Sequence, residues 1–187
     1  MYRDSVAAVT EIALLPATAS EDCRVVAEVS DLVNRAYVVA EQGMWHTGVA
    51  RTTFAETAEA IHQGELVVAY EDGQLVGSIR SRQLDERTGW FGALAVDVGQ
   101  AGRGVGGKLV KFAEERALSA GATTMQLELL VPLQAHPHTD LLAAWYVRLG
   151  YREVKRCGLA EVEPAAVPFL AMPLEVAVMQ RPLVTAR

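Results

Sequence analysis

The sequence predicts one α/β domain whose mixed sheet carries helices on both faces, and three observations predict it. An antiparallel meander is marked by apolar runs over 66–70 and 75–81 that flank Asp72-Gly73, a pair tolerant of positive φ and the strongest hairpin signal in the chain. A later unit reads strand, glycine-rich turn, helix, strand: 90–98, then 99–107, then Leu109, Phe112, Ala113, Ala117 and Ala120 on one helical face, then Met125 to Val131. The chain's 187 residues, 51% hydrophobic and 21% charged, suffice for one core and leave little room for a second. The expected unit is one domain over 1–187 with its core within about residues 8–183.

The elements follow in order. Residues 8–15 alternate loosely and stop at Pro16, as a first strand would. Ser20 is the expected N-cap of a helix that places Val25, Val29, Leu32, Val33, Ala36, Tyr37 and Ala40 on one side and ends near Gly43. Thr53 and Glu56 form a capping-box pair, opening a second helix through Phe54, Ala58 and Ile61 that Gly64 closes. After the meander and the glycine turn, the third helix stops at Gly121. Met125, Leu127, Leu129 and Val131 alternate with Gln126 and Glu128 in a strand that ends at Pro132. His136 to Asp140 reads as a loop and helix entrance, and 141–149 as a short helix stopped by Gly150. Residues 151–157 and 174–181 read as closing strands, with 164–173 a surface loop between them.

Composition also excludes. A net charge of -6 offers no positive excess for a nucleic-acid backbone or an anionic membrane, so neither is an expected partner. No segment reaches the roughly 20 apolar residues of a membrane span, and Thr10 and Glu11 interrupt the apolar stretch near the start, which leaves no signal-peptide core. Cys23 and Cys157 are expected to be buried free thiols in a reducing, cytoplasmic setting. His136-Pro137-His138 has no third or fourth ligand to join it, so no metal is expected.

The chemistry concentrates in Leu94-Ala95-Val96-Asp97-Val98-Gly99-Gln100-Ala101-Gly102-Arg103-Gly104-Val105-Gly106-Gly107-Lys108. Glycines let the backbone approach an anion, and the next helix offers unpaired N–H groups and a positive dipole end. A bound di- or triphosphate is the shared expectation of three readings. As a Walker loop, Gly102 to Lys108 supplies G-x-x-x-x-G-K, but Leu109 stands where a hydroxyl should hold Mg²⁺. As a dinucleotide fingerprint, Gly102, Gly104 and Gly107 fit G-x-G-x-x-G and Glu128 lies about twenty residues on, yet the motif follows a meander and the βα units of a Rossmann domain are absent.

On the third reading the segment resembles the GNAT superfamily of N-acetyltransferases, whose signature is a strand, R/Q-x-x-G-x-G/A, and a helix. Ala101 to Gly106 matches at both glycines and departs at Ala101, with Gln100 one residue early, and at Val98, where proline is common. A second block, Trp145-Tyr146-Val147-Arg148-Leu149-Gly150-Tyr151, looks like the family's aromatic-Tyr-x-x-x-Gly-aromatic segment in the right order. Thr139 stands where relatives often carry Asn.

The resemblance implies a single-domain fold whose mixed sheet opens between two central splayed parallel strands, 90–98 and 124–131, with acetyl-CoA in the opening. Backbone groups of Leu94, Ala95 and Val96 would pair with the pantetheine arm, and an N–H near Ala95 would stabilise the oxyanion. Ala101, Gly102, Arg103, Gly104, Val105, Gly106, Gly107 and Lys108 would hold the pyrophosphate. Tyr146 would protonate the leaving thiolate, and Glu128 would take the amine's proton, with Glu41 or a water chain as alternatives. Trp45 and His46 sit where relatives line the acceptor pocket. The acceptor would be a small-molecule or peptide amine, and residues 174–179 are a candidate interface strand for a homodimer. Two other classes stay open: a CoA-binding sensor without activity, and an NAD(P)-dependent reductase.

Overall fold

The computed structural model describes residues 9–183, and Ala8, where the first strand is expected to open, lies outside them. Among the described residues seven strands form one sheet: β1 (Thr10–Leu14), β2 (Leu66–Glu71), β3 (Gln74–Gln83), β4 (Thr88–Val96), β5 (Thr124–Pro132), β6 (Arg152–Gly158) and β7 (Leu174–Pro182). Their order is β1-β2-β3-β4-β5-β7-β6, antiparallel throughout except for β4 beside β5. The helices are α1 (Cys23–Ala40), α2 (Phe54–His62), α3 (Val105–Ser119), α4 (Pro137–Arg148) and a single turn, α5 (Leu159–Val162).

Helices cover both faces. Val67 and Ala69 of β2 pack with Leu109 and Ala113 of α3 and Tyr146 of α4, while Leu66 and Val68 pack with Val26, Val29 and Val33 of α1 and Ile61 of α2. That double cover explains why β2 reads as a continuous apolar run. Asp72 and Gly73, at φ 50° and 75°, make the tight turn their residue types predict. A Cβ on Gly89 would fall 2.5 Å from Ala117 Cβ and 2.9 Å from Met125 Sδ, so only glycine lets α3 lie this close to the β4–β5 seam.

That seam is short. β4 and β5 pair only at Thr88↔Thr124, Gly89↔Met125 and Trp90↔Gln126. Beyond Trp90, β5 stays on β7 along its whole length and β4 stays on β3. A bulge in β4 accompanies the divergence: Ala93 takes φ 47°, and Ala93 and Leu94 together oppose Ile79 alone.

Several expectations are corrected. Asp22, not Ser20, caps α1, accepting from the Arg24 N–H at 3.0 Å; the Ser20 hydroxyl donates to Ala17 O inside the 3₁₀ turn that precedes it. Cys23 is exposed because it opens α1 on the outer side, whereas Cys157 is buried. The meander strand expected over 90–98 runs over 88–96, since Val98 to Gln100 form a 3₁₀ turn. α4 starts at Pro137 rather than near 141, because the proline fits the first helical turn and His136 caps it. The loop expected over 164–173 holds a 3₁₀ segment at Pro164–Phe169, and Leu170 forms a bridge to Trp45. Residues 174–179 lie in β7, between β5 and β6, with Leu174, Val176, Ala177 and Met179 buried, so that segment is a core strand rather than a free interface strand. Among the described residues no helix is long and apolar enough to cross a membrane.

Candidate active site

The gap between β4 and β5 exposes a strand edge with no strand beside it. Asp97 N–H bonds Val76 O on β3 at 2.9 Å, and Ser78 faces Ala95 two residues back, so Ala95 also directs its amide toward β3. Alternation then puts the backbone of Leu94 and Val96 on the gap side. Of the three residues expected to line the gap, two turn their amides into it and Ala95 supports them from behind.

The glycine loop leads from this edge into α3. Gly102 and Gly104 adopt φ 79° and 85°, conformations that glycine reaches without strain. The amides of Gly102, Gly104, Val105, Gly106 and Gly107 have no acceptor among the described residues, which leaves a set of donors at the positive end of α3. No heavy atom lies within 4 Å of where a Cβ on Gly102, Gly104 or Gly107 would stand, and at Gly106 the nearest are Trp145 and Val96, both at 3.7 Å. An anion therefore meets backbone rather than side chains, and the residues present fit a pyrophosphate. The two cations of the loop are held sideways: Lys108 Nζ donates to Thr10 Oγ1 at 2.8 Å, and Arg103 bonds Gln100 and stands 3.8 Å from Glu71. From Gly107 a groove of about 460 Å³ runs along α3 past Lys111 and Glu114 to Leu149 and Arg181.

Tyr146 sits where α4 meets the gap. Its ring packs on Phe91 (6.1 Å between centroids), Tyr151 (6.0 Å) and Trp145 (4.9 Å). The residue is 6% exposed, and its hydroxyl has no hydrogen bond to any described residue. Burial raises the phenol well above its usual range, and the Tyr37 phenol pushes the same way. Tyr37 belongs to α1, on the other face of the sheet.

Two carboxylates flank the opening. Glu128 lies two residues past the last paired rung and accepts hydrogen bonds from Trp90 Nε1 across the fork and from Gln126 Nε2 at 2.8 Å, while Gln126 accepts in turn from Gln180 Nε2 at 2.7 Å. Glu41, at the end of α1, accepts from Trp45 Nε1 at 2.6 Å. Burial raises the Glu41 carboxyl above the ordinary range, against the opposing pull of Arg51 and of the Trp45 hydrogen bond. Trp45 stands in the wall between the loops, bridged to Leu170, and His46 donates its N–H to Phe169 O at 2.9 Å. His136 caps α4: its Nδ1 accepts from Thr139 N–H at 3.3 Å and its Nε2 meets Gln42 O at 3.1 Å. Among the described residues no group of three His, Cys, Asp or Glu could hold a metal ion.

Sequence reasoning missed Tyr37 and Arg51. Tyr37 reads as core because it lies in the apolar stripe of α1, and Arg51 sits in a loop with no motif around it. It also missed the Glu114 anchor beneath the site, where Arg181 Nη1 donates to both carboxylate oxygens (2.9 and 3.0 Å) and Tyr151 Oη to one (2.6 Å). Those residues lie up to 67 positions apart, and no local pattern links them.

Comparison with known proteins places this geometry. Residues 27–151 match the model of the acetyltransferase (GNAT) family. Among solved structures, PaiA N-acetyltransferase from Thermoplasma acidophilum in complex with coenzyme A is 12% identical, with a TM-score of 0.69 over 93% of this chain and 99% of that one. Ard1 from Thermoplasma volcanium is 15% identical, TM-score 0.65, over 94% and 99%. The ribosomal-protein-S18-alanine N-acetyltransferase from Escherichia coli is 16% identical, TM-score 0.63, over 96% and 97%. At these identities the likeness is one of fold, and no curated protein sequence matches. With the family model covering well over half of its length, and with a parallel strand pair that forks above a glycine-rich helix start, the chain belongs to the GNAT family of acetyltransferases.

Proposed function

We propose that this protein transfers an acetyl group from acetyl-CoA directly to the primary amine of a small molecule or peptide. Three features support the reading: the edge of β4 left unpaired by β5 beyond Trp90, the open amides of Gly102 and of residues 104–107, and the Tyr146 phenol, whose ring packs on Phe91 of β4 just past the fork. Leu94 and Val96 offer a pantetheine arm the pairing of a missing strand. The glycine loop binds the pyrophosphate through backbone N–H groups, and the groove along α3 takes the nucleotide end. Acetyl-CoA supplies the acyl group as a thioester already activated for attack.

The residues manage protons. An alkyl ammonium, with a pKa of about 10.4, is neutral only about one part in a thousand near pH 7, so a base or a desolvating pocket must help one proton leave before attack. Glu128, at the fork, has both oxygens engaged by donors, whereas Glu41 keeps one oxygen free of hydrogen bonds. As the C–N bond forms and the C–S bond breaks, the amine gives up a second proton and the sulfur gains one, so the products are amide, thiol and one released proton. Tyr146 donates to the departing sulfur. Its raised pKa keeps the phenol protonated throughout the working range. Complete transfer from a phenol at 10 or above to a thiolate near 8.5 is uphill by at least about 2 kcal/mol, so donation of the hydrogen bond is the larger part of the stabilisation.

Thermal shift against acetyl-CoA, CoA and NADPH, followed by thiol release with an amine panel, tests the reading. A ligand at 100 times its Kd adds about 2.7 kcal/mol, several degrees for a domain of this size. Stabilisation by acetyl-CoA with turnover supports the enzyme. Binding without turnover on any amine supports a sensor, and stabilisation by NADPH alone restores the dinucleotide reading.

A further inference from the structure

Beside the gap lies an ion pair that does not close. Arg51 stands in the loop between α1 and α2, and Asn34 of α1 fixes that loop: its Oδ1 accepts from the N–H of Arg51 (2.8 Å) and of Thr52 (3.1 Å), and its Nδ2 donates to Thr52 O (3.0 Å). The guanidinium lies over the Tyr37 ring, 5.0 Å from its centroid, and Nε stops 3.9 Å from Glu41 Oε1. That separation is too long for a hydrogen bond. Trp45 holds the other oxygen of Glu41, so Oε1 has no donor among the described residues, while the Arg51 guanidinium rests against the Tyr37 side chain. An acceptor without a donor thus stands beside a guanidinium that does not reach it, in a loop whose backbone is clamped. The Glu41 side chain is only 11% exposed, against 39% for Arg51.

We infer that this pair receives a zwitterionic acceptor, an α-amino acid or close analogue, with its amine on Glu41 and its carboxylate on Arg51. The inference rests on the acetyl-transfer reading above. Both charges of an α-amino acid sit on one carbon, and the pair offers the opposite charges 3.9 Å apart. A guanidinium takes a carboxylate through two parallel hydrogen bonds, which a lone amine cannot supply. The pair borders the gap: Gln42 O, next to Glu41, meets His136 at the start of α4, the helix that carries Tyr146, and Trp45 packs in one cluster with Leu130 of β5 beyond the fork. In the reaction the ammonium passes one proton to Glu41 Oε1, its nitrogen bonds the acetyl carbon as the bond to sulfur breaks, and the acceptor's carboxylate is unchanged.

The test is thiol release from acetyl-CoA by the full chain with three matched sets of acceptors: free amino acids, the same amino acids as α-carboxamides, and their decarboxylated amines. At least one free amino acid should exceed its carboxamide and its amine in kcat/KM by roughly 10- to 100-fold, the weight of a hydrogen-bonded charge pair. Arg51→Gln should remove that advantage, with a much smaller loss on the amines, and Arg51→Lys should restore part of it. Retained thermal stabilisation by acetyl-CoA shows that each variant is folded. Amines or carboxamides used as well as, or better than, free amino acids overturn the inference while leaving acetyl transfer in place. An Arg51→Gln loss equal across all three sets also overturns it. Acetylation of nothing in these sets overturns the inference, and no turnover on the wider panel of amines and peptides either, with acetyl-CoA still bound, overturns the acetyl-transfer reading itself.

Discussion

Replacing Tyr146 with phenylalanine separates chemistry from folding at this site. The ring is packed by Phe91, Trp145 and Tyr151, and phenylalanine keeps every one of those contacts. The hydroxyl has no hydrogen bond to lose among the described residues, so stability should change by no more than about 1 kcal/mol, or roughly 2–4 °C in Tm. If the phenol donates to the departing sulfur, its loss should lower kcat by about 10²-fold, the lower end of what a general acid contributes, because complete proton transfer from so weak an acid is uphill. KM for acetyl-CoA should barely move, since the interaction forms only as the C–S bond breaks. The assay is thiol release at saturating acetyl-CoA alongside a melting curve. Retention of kcat to within about threefold would refute the assignment, and a fall of kcat together with a large drop in Tm would show that the hydroxyl is structural.

Three further outcomes follow from the packing and the charges. Gly89→Ala should cost about 1–3 kcal/mol or more in chemical denaturation, because its Cβ would overlap Ala117 on α3. Ser78→Ala should raise stability by about 1 kcal/mol, since the Ser78 hydroxyl is the one fully buried side-chain polar atom without a partner among the described residues. Burial raises the Glu41 carboxyl above 4.5, so its contribution to stability is full below that pH and is lost as pH climbs through the native pKa. Glu41→Gln should therefore raise Tm at neutral pH relative to Tm at acid pH, compared with the unsubstituted chain. If Glu41 takes the amine's proton, the same variant should also remove the acidic limb of kcat/KM.

Much of this was legible in the sequence because it is local. The capping box at Thr53 and Glu56, the turn at Asp72-Gly73, the alternation of 125–131 and the glycines before α3 each act within a few residues, where backbone sterics decide. Boundaries failed where two local options compete: Ser20 and Asp22 can each cap a helix, and the side chain that reaches a free N–H is fixed by the 3₁₀ turn before it. Tyr146 stands in a recognisable motif, whereas Arg51 and Tyr37 stand in none.

By itself the sequence determined the element types, the single α/β domain and the donor-rich turn, since periodicity, caps and glycine tolerance are properties of neighbouring residues. Tertiary structure alone decided where β4 leaves β5, because that depends on a bulge at Ala93 and on β5 preferring β7. It also decided that Ala95 supports the gap while Leu94 and Val96 face it. Finally, it set Glu41 3.9 Å from Arg51 and Glu114 against Arg181. Such pairs form between elements that chain neighbours cannot see, and their strength depends on the burial that only the assembled sheet and helices provide.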